Sequence, residues 1–144
     1  MKNSKNIIVV LLSVIATIVA IVLNFNEFLM GNYASVKNLL VTFSYMAIWI
    51  LVLIVGSKTE DCGIIKYCSI FWIITLLTAI VAWYANATDA IVDWAIPFVI
   101  LFLGQWYGLA FFTHSSLTMS IIITFMSLGM LIITLMLFKH IERT

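Results

Sequence analysis

WAIPFVILFLGQWYGLAFF, residues 94–112, is the stretch on which the fold turns. It is apolar at nearly every position, contains the chain's one proline, Pro97, and is interrupted by Gly104-Gln105-Trp106-Tyr107-Gly108. As a plain α-helix it reaches about 28 Å at ~1.5 Å per residue, enough to cross the hydrocarbon core of a bilayer. Read so, it is the fourth of five transmembrane helices. The alternative is four spans plus a re-entrant segment around residues 94–112, kinked at Pro97 and broken at the glycines. Re-entrant backbone needs protein or water around it to satisfy its polar groups.

The rest of the chain has the same character. Of 144 residues, 65% are hydrophobic and only 9% charged. An ordinary globular domain has ~25% charged residues. Too few polar side chains remain to cover a water-soluble globule. That excludes a soluble enzyme, a disordered tail, a basic nucleic-acid binder and a disulfide-stapled secreted domain. The fold class expected is an all-α integral membrane protein, a single transmembrane domain over residues 1–144. The charges punctuate apolar runs. Those runs predict helices at about 7–23, 39–55, 64–85, 94–112 and 117–138. They are continuous rather than alternating, and in lipid a helix satisfies its backbone within one segment. Lys2 and Lys5 precede the first run, which is longer than a signal peptide's apolar core and reads as a retained anchor. Asn24 to Asn38 could hold a short surface helix.

Charge bears on topology. With five spans and a cytoplasmic N-terminus, Lys2, Lys5, Lys58 and Lys66 lie inside, against Lys37, Lys139 and Arg143 outside. With a re-entrant fourth segment, six basic residues lie inside and only Lys37 outside, a stronger positive-inside bias. The expected location is the plasma (cytoplasmic) membrane with the N-terminus cytoplasmic.

No Asp, Glu, Lys, Arg or His sits in the middle of a run, which argues against an ion-coupled transporter. The mild polar and small residues recur on single helix faces. The first helix shows Asn6, Ser13, Thr17, Ala20 and Asn24. The third shows Cys68, Trp72, Thr75, Ala79, Ala82 and Asn86. The fifth shows Ser116, Ser120, Thr124, Ser127 and Thr134. With Gly104 and Gly108 these read as packing seams, where small residues let backbones approach. A hydroxyl-lined path through Ser13, Thr17, Gln105, Ser120 and Thr124 is the competing reading.

Met119, Met126, Met130 and Met136 read as gap-fillers. Cys62 and Cys68 are too far apart for a CxxC pair and read as unpaired. Asn86-Ala87-Thr88 matches a glycosylation acceptor but lies close to a helix end. No cofactor and no metal site is expected. The weak catalytic candidates are His114, Asp89 and Asp93. In the re-entrant topology they share one side with Glu27 and could form an acid–base or metal cluster. Otherwise Asp89 and Ser115 or Ser116 cap helices and His114 is a surface turn residue. Because Pro97 has no N–H, the Asp93 carbonyl is expected to be free.

The function expected is interaction: an accessory, immunity-type or modulatory subunit of a membrane complex. Its partners are the lipid bilayer and another membrane protein or a second copy, not nucleic acid. The alternatives are an oligomeric small-solute carrier or channel, and a membrane-surface enzyme using His114 with Asp89 or Asp93.

Overall fold

A computed structural model describes residues 2–142, with side chains from Asn6 onward. Arg143, which enters the charge balance, lies outside the described residues. The described chain is all-helical. The α-helices are α1 (Lys2–Met30), α2 (Val36–Lys58), α3 (Cys62–Thr88), α4 (Ile96–Leu103) and α5 (Ser116–Ile141). A short 3-10 turn, Asp93–Ala95, leads into α4, and a 3-10 helix, Gly104–Phe111, follows it. Counting Asp93–Phe111 as one segment, five helices are long and apolar enough to cross a membrane.

The helices overrun the apolar runs because their ends are set by caps rather than by hydropathy. No surface helix follows α1. It continues through Asn24 and Glu27, since no breaker occurs before Gly31. Gly31 then takes a left-handed φ of +62°, and the Asn32 N–H returns to the Glu27 carbonyl at 3.1 Å. That is the glycine-terminated closure common at helix ends. α2 and α3 are joined by a tight turn with Glu60 in the left-handed region, φ 50°. Asp61 caps α3 by accepting from the Gly63 and Ile64 N–H groups at 2.8 and 3.2 Å. α5 starts on Ser115, whose hydroxyl accepts from the Thr118 N–H at 3.3 Å. It ends with Lys139 and His140 in the last turn, where positive charge complements the helix dipole.

α1, α2, α3 and α5 run the length of the bundle. One end, the terminal end, holds the start of α1, the α2–α3 turn and the end of α5. There Asn6 donates to the Asp61 carboxylate, and Lys66 Nζ lies 5.6 Å from the Phe138 ring centroid. The opposite end, the far end, holds the α1–α2 connection and the end of α3. There Asn86 donates to the Ser120 hydroxyl at 2.9 Å, so α5 starts at the far end and runs antiparallel to α3.

The segment between α3 and α5 takes a different path from a straight span. Trp94, Ala95 and Phe98 border one groove with Leu77, Thr78 and Val81 on the far half of α3. α4 descends until Phe102 meets Phe71, ring centroids 5.7 Å apart. Trp106 sits beside Trp72 and Tyr45 at 6.2 and 5.8 Å. The chain then climbs back. Tyr107 donates its hydroxyl proton to the Asn32 carbonyl, and His114 packs edge-on against Tyr33 at 5.6 Å. Asn32 and Tyr33 lie in the α1–α2 connection, so the segment enters and leaves at the far end. The straight fourth helix expected over 94–112 is thus corrected to a helical hairpin. α4 has only eight residues, ~12 Å at 1.5 Å each, too short to cross alone. The bend falls at Leu103–Gly104, where Leu103 opens to φ −114°. It does not fall at Pro97, which occupies the first turn of α4, where no N–H is needed. The Asp93 carbonyl is not free either: it accepts the Ile96 N–H in the 3-10 turn.

The core is aromatic and lies at mid-height, where the hairpin tip meets α2 and α3. Trp49 stacks on Phe71 at 4.1 Å and stands edge-on to Trp72 at 5.4 Å. Trp49, Trp72, Trp106 and Tyr45 are essentially fully buried. Edge-to-face and offset stacks of this kind contribute about 0.5–1.5 kcal/mol each beyond the area they bury.

Candidate functional site

The hairpin brings backbone polar groups into the apolar middle of the bundle, and four side chains answer them. Asn24 on α1 donates to the Gly104 and Gln105 carbonyls at 3.1 and 3.4 Å. Asn38 on α2 donates to the Asn24 side-chain oxygen at 3.0 Å, which orients that amide. Asn38 in turn accepts from the Ser35 N–H at 2.8 Å at the start of α2. Thr42 donates to the Gln105 carbonyl at 2.8 Å and accepts from the Gly108 N–H at 3.0 Å. Gln105 donates to the Phe102 carbonyl at 2.8 Å and to the Tyr45 hydroxyl at 3.3 Å. Asn24, Asn38, Thr42 and Gln105 are 0–1% exposed. A buried polar group left unbonded costs about 1–3 kcal/mol, so this clasp is what lets an eight-residue 3-10 helix exist there. Among the described residues, the buried polar atoms without a hydrogen-bond partner include Gln105 Oε1, Ser127 Oγ and the indole nitrogens of Trp49, Trp72 and Trp106.

Above the clasp, at the far end, lies a cavity of about 290 Å³. Phe28, Tyr33, Tyr107 and His114 line it, together with Thr113, Ser115 and Ser116. The rings form two perpendicular pairs: Phe28 with Tyr107 at 5.6 Å and 80°, and Tyr33 with His114 at 5.6 Å and 85°. Tyr107 is held by its bond to Asn32, whereas Tyr33 is 84% exposed. The carboxyl end of α1 and the amino end of α5 both border the cavity.

The weak catalytic candidates share the far end but do not form one constellation. No hydrogen bond joins His114 to Asp89 or Asp93 among the described residues, and His114 meets Tyr33 instead. Asp89 closes α3 in the left-handed region at φ 52°, rather than starting the following helix. Asp93 opens the 3-10 turn before α4. Glu27 is engaged by Lys37 at 2.6 Å. No group of three or more His, Cys, Asp or Glu suited to a metal ion occurs among the described residues. Cys62 and Cys68 are free thiols.

Of the small residues assigned to seams, Ser13, Ala20, Thr75, Ala79, Gly104, Gly108, Ser120, Thr124 and Ser127 are buried, while Thr17 and Ala82 are half-buried. The two glycines differ. A Cβ on Gly108 would collide with the Asn38 carbonyl oxygen and lie 2.5 Å from Thr42 Oγ1. A Cβ on Gly104 would meet nothing within 4 Å, so the close helix approach inferred at both exists only at Gly108. The five residues of the competing polar path are each engaged in hydrogen bonds of their own. Thr17 bonds to the Ser13 carbonyl, Ser13 to Tyr67 and the Val10 carbonyl, and Thr124 to the Ser120 carbonyl. Gln105 belongs to the clasp.

Sequence reading missed Asn38, Thr42, Tyr45 and Tyr33. A signal was available for the first: Asn24 and Asn38 flank the α1–α2 connection, and two asparagines at the rims of apolar runs invite pairing. Nothing marks Thr42 as the residue opposite Gly108. Neither a protein-family model, nor a curated protein, nor a solved structure matches the chain.

Proposed function

We propose that the chain is an integral membrane protein with four spanning helices and a re-entrant hairpin, acting by interaction as an accessory or modulatory subunit of a membrane complex. Large apolar side chains are exposed all along the outer faces of the bundle. They include Leu11, Ile18 and Val22 on α1, Ile70 and Leu77 on α3, and Phe125 and Ile132 on α5. Hydrocarbon is the natural solvent for such a surface. The hairpin then puts Lys58, Lys66 and Lys139 at one end and Lys37 at the other, in line with a cytoplasmic terminal end.

The observation that carries the interaction reading is the use made of the interior polar groups. Asn24, Asn38, Thr42 and Gln105 bond to each other and to the hairpin backbone. The seam hydroxyls of Thr17, Thr75, Thr124 and Thr134 bond to carbonyls one turn back on their own helices. Groups engaged in this way fix a fold rather than exchange partners with a passing solute. The test has two arms. Protein reconstituted in liposomes is expected to give no solute or ion flux above empty vesicles. Mild-detergent extracts of native membranes are expected to hold the chain in a species larger than the purified protein in the same detergent. Flux from the purified chain, or a native size equal to the purified one, overturns the reading.

A further inference from the structure

We propose that the far-end cavity binds an alkylammonium head group of the phosphocholine or phosphoethanolamine kind. The inference starts from what the wall offers. Three aromatic rings, Phe28, Tyr33 and Tyr107, and the His114 imidazole border about 290 Å³, and among the described residues no Asp, Glu, Lys or Arg lines the space. A wall without fixed charge but rich in rings recognises a cation through ring faces, and alkylammonium groups are the ligands best suited to that. The two perpendicular ring pairs make this wall composite. Tyr107 is anchored through Asn32, while exposed Tyr33 has room to settle over an occupant.

The cavity is also polarised. α1 closes at its carboxyl end on Gly31, in the cavity wall. Carbonyl groups at a helix end favour a positive charge. Ser115 and Ser116, also in the wall, open α5, where backbone N–H groups and hydroxyls favour a negative one. A zwitterion with its ammonium toward the rings and α1, and its phosphate toward α5, matches both ends. Ala110 and Met119 add apolar wall, which suits the glycerol portion of a lipid. The ammonium chemistry stands without the membrane reading; a lipid source for it rests on that reading.

The test uses the full chain purified in a maltoside detergent, with binding followed by saturation-transfer NMR and titration calorimetry. The probes are tetramethylammonium, phosphocholine and inorganic phosphate. Tetramethylammonium and phosphocholine are expected to compete for one saturable site. Tyr33→Leu, at an exposed position, is expected to weaken both by roughly fivefold, the loss of one ring's cation–π contact, with an unchanged thermal melt. His114→Leu serves as the second variant and is expected to act in the same direction. No saturable binding of either ammonium probe overturns the proposal. So does binding unaltered in both variants, or inorganic phosphate competing as well as phosphocholine. In nanodiscs, loss of tetramethylammonium binding with phosphatidylethanolamine but not phosphatidylglycerol supports the site and identifies a lipid head. Equal binding in both discs supports it with a soluble ligand. A flux result that overturns the accessory role leaves these binding outcomes unaffected.

Discussion

A methyl group added at Gly108 has nowhere to go, because its nearest neighbours are the Asn38 carbonyl and the Thr42 hydroxyl. One is backbone and the other is held by two hydrogen bonds, so neither yields cheaply. Gly108→Ala is expected to destabilise the protein by about 1–3 kcal/mol, the usual range for overpacking. Gly104→Ala meets open space and lies at a helical φ of −58°, so it should be neutral or stabilising by up to ~1 kcal/mol. Thermal melts of the two variants in one detergent check this; equal midpoints would refute the assigned close contact. Thr42→Val keeps the shape of the side chain and removes both of its hydrogen bonds. It strands the Gly108 N–H and removes one of the two side-chain donors to the Gln105 carbonyl, and is expected to cost about 1–3 kcal/mol. A Thr42→Ser variant that melts like the parent, beside a Thr42→Val variant that does not, would assign the loss to the hydroxyl.

At the scale of elements, the hairpin of α4 and the following 3-10 helix differs from a fifth span in a directly measurable way. A straight fourth helix puts Asp89 and His114 on opposite faces of a membrane, whereas the hairpin puts them on the same one. In a Cys62→Ser, Cys68→Ala background, single cysteines at positions 89 and 114 are expected to react with an impermeant thiol reagent from the same side. A cysteine at position 58 should react only from the other. Opposite accessibility of 89 and 114 would restore the straight helix. The hairpin is stable as an element only through its neighbours. Its 3-10 helix is twice the usual length, and Asn24 and Thr42 from two other helices supply bonds that α-helical geometry would have supplied internally, with Asn38 orienting Asn24. Asn38→Leu, which strands the Asn24 amide and the Ser35 N–H, should therefore loosen the hairpin more than α3–α5. Hydrogen exchange that rises over residues 104–111 while α3 and α5 stay protected is the expected pattern.

For the molecule as a whole, the buried interior holds no carboxylate and no histidine among the described residues. A proton-driven carrier needs a side chain that changes charge as its site alternates, normally an intramembrane carboxylate or histidine. The buried residues are Trp, Tyr, Thr, Ser, Asn, Gln, Met130 and the Cys68 thiol beside aliphatic ones. Asp89, Asp93 and His114 all lie at helix ends. Asp93→Asn is thus expected to leave the protein's phenotype intact, with at most a helix-dipole loss of ~0.3–1 kcal/mol. Proton-coupled uptake into liposomes that disappears in Asp93→Asn would contradict this.

Composition and spacing alone determined the helical class, the number of apolar segments and their places in the chain. Each follows from local facts: long runs without charge, and polar punctuation between them. The faces bearing Ser13, Ala20, Thr75, Ala79, Ser120 and Ser127 were legible for the same reason, since a 3.6-residue period is a property of one helix at a time. The path of residues 94–112 was not. Its length and apolarity suit a straight span, and its glycines and proline suit a bend, so local preference is nearly balanced. The balance is broken by Asn24, Asn38 and Thr42, which lie 52 or more residues earlier and reach the hairpin only once α1 and α2 have paired. The far-end cavity belongs to the same class of fact. Phe28, Tyr33, Tyr107 and His114 come from separate parts of the chain, and no sequence period relates them. They meet because the hairpin returns to the end it came from, and that return is decided by hydrogen bonds made across helices.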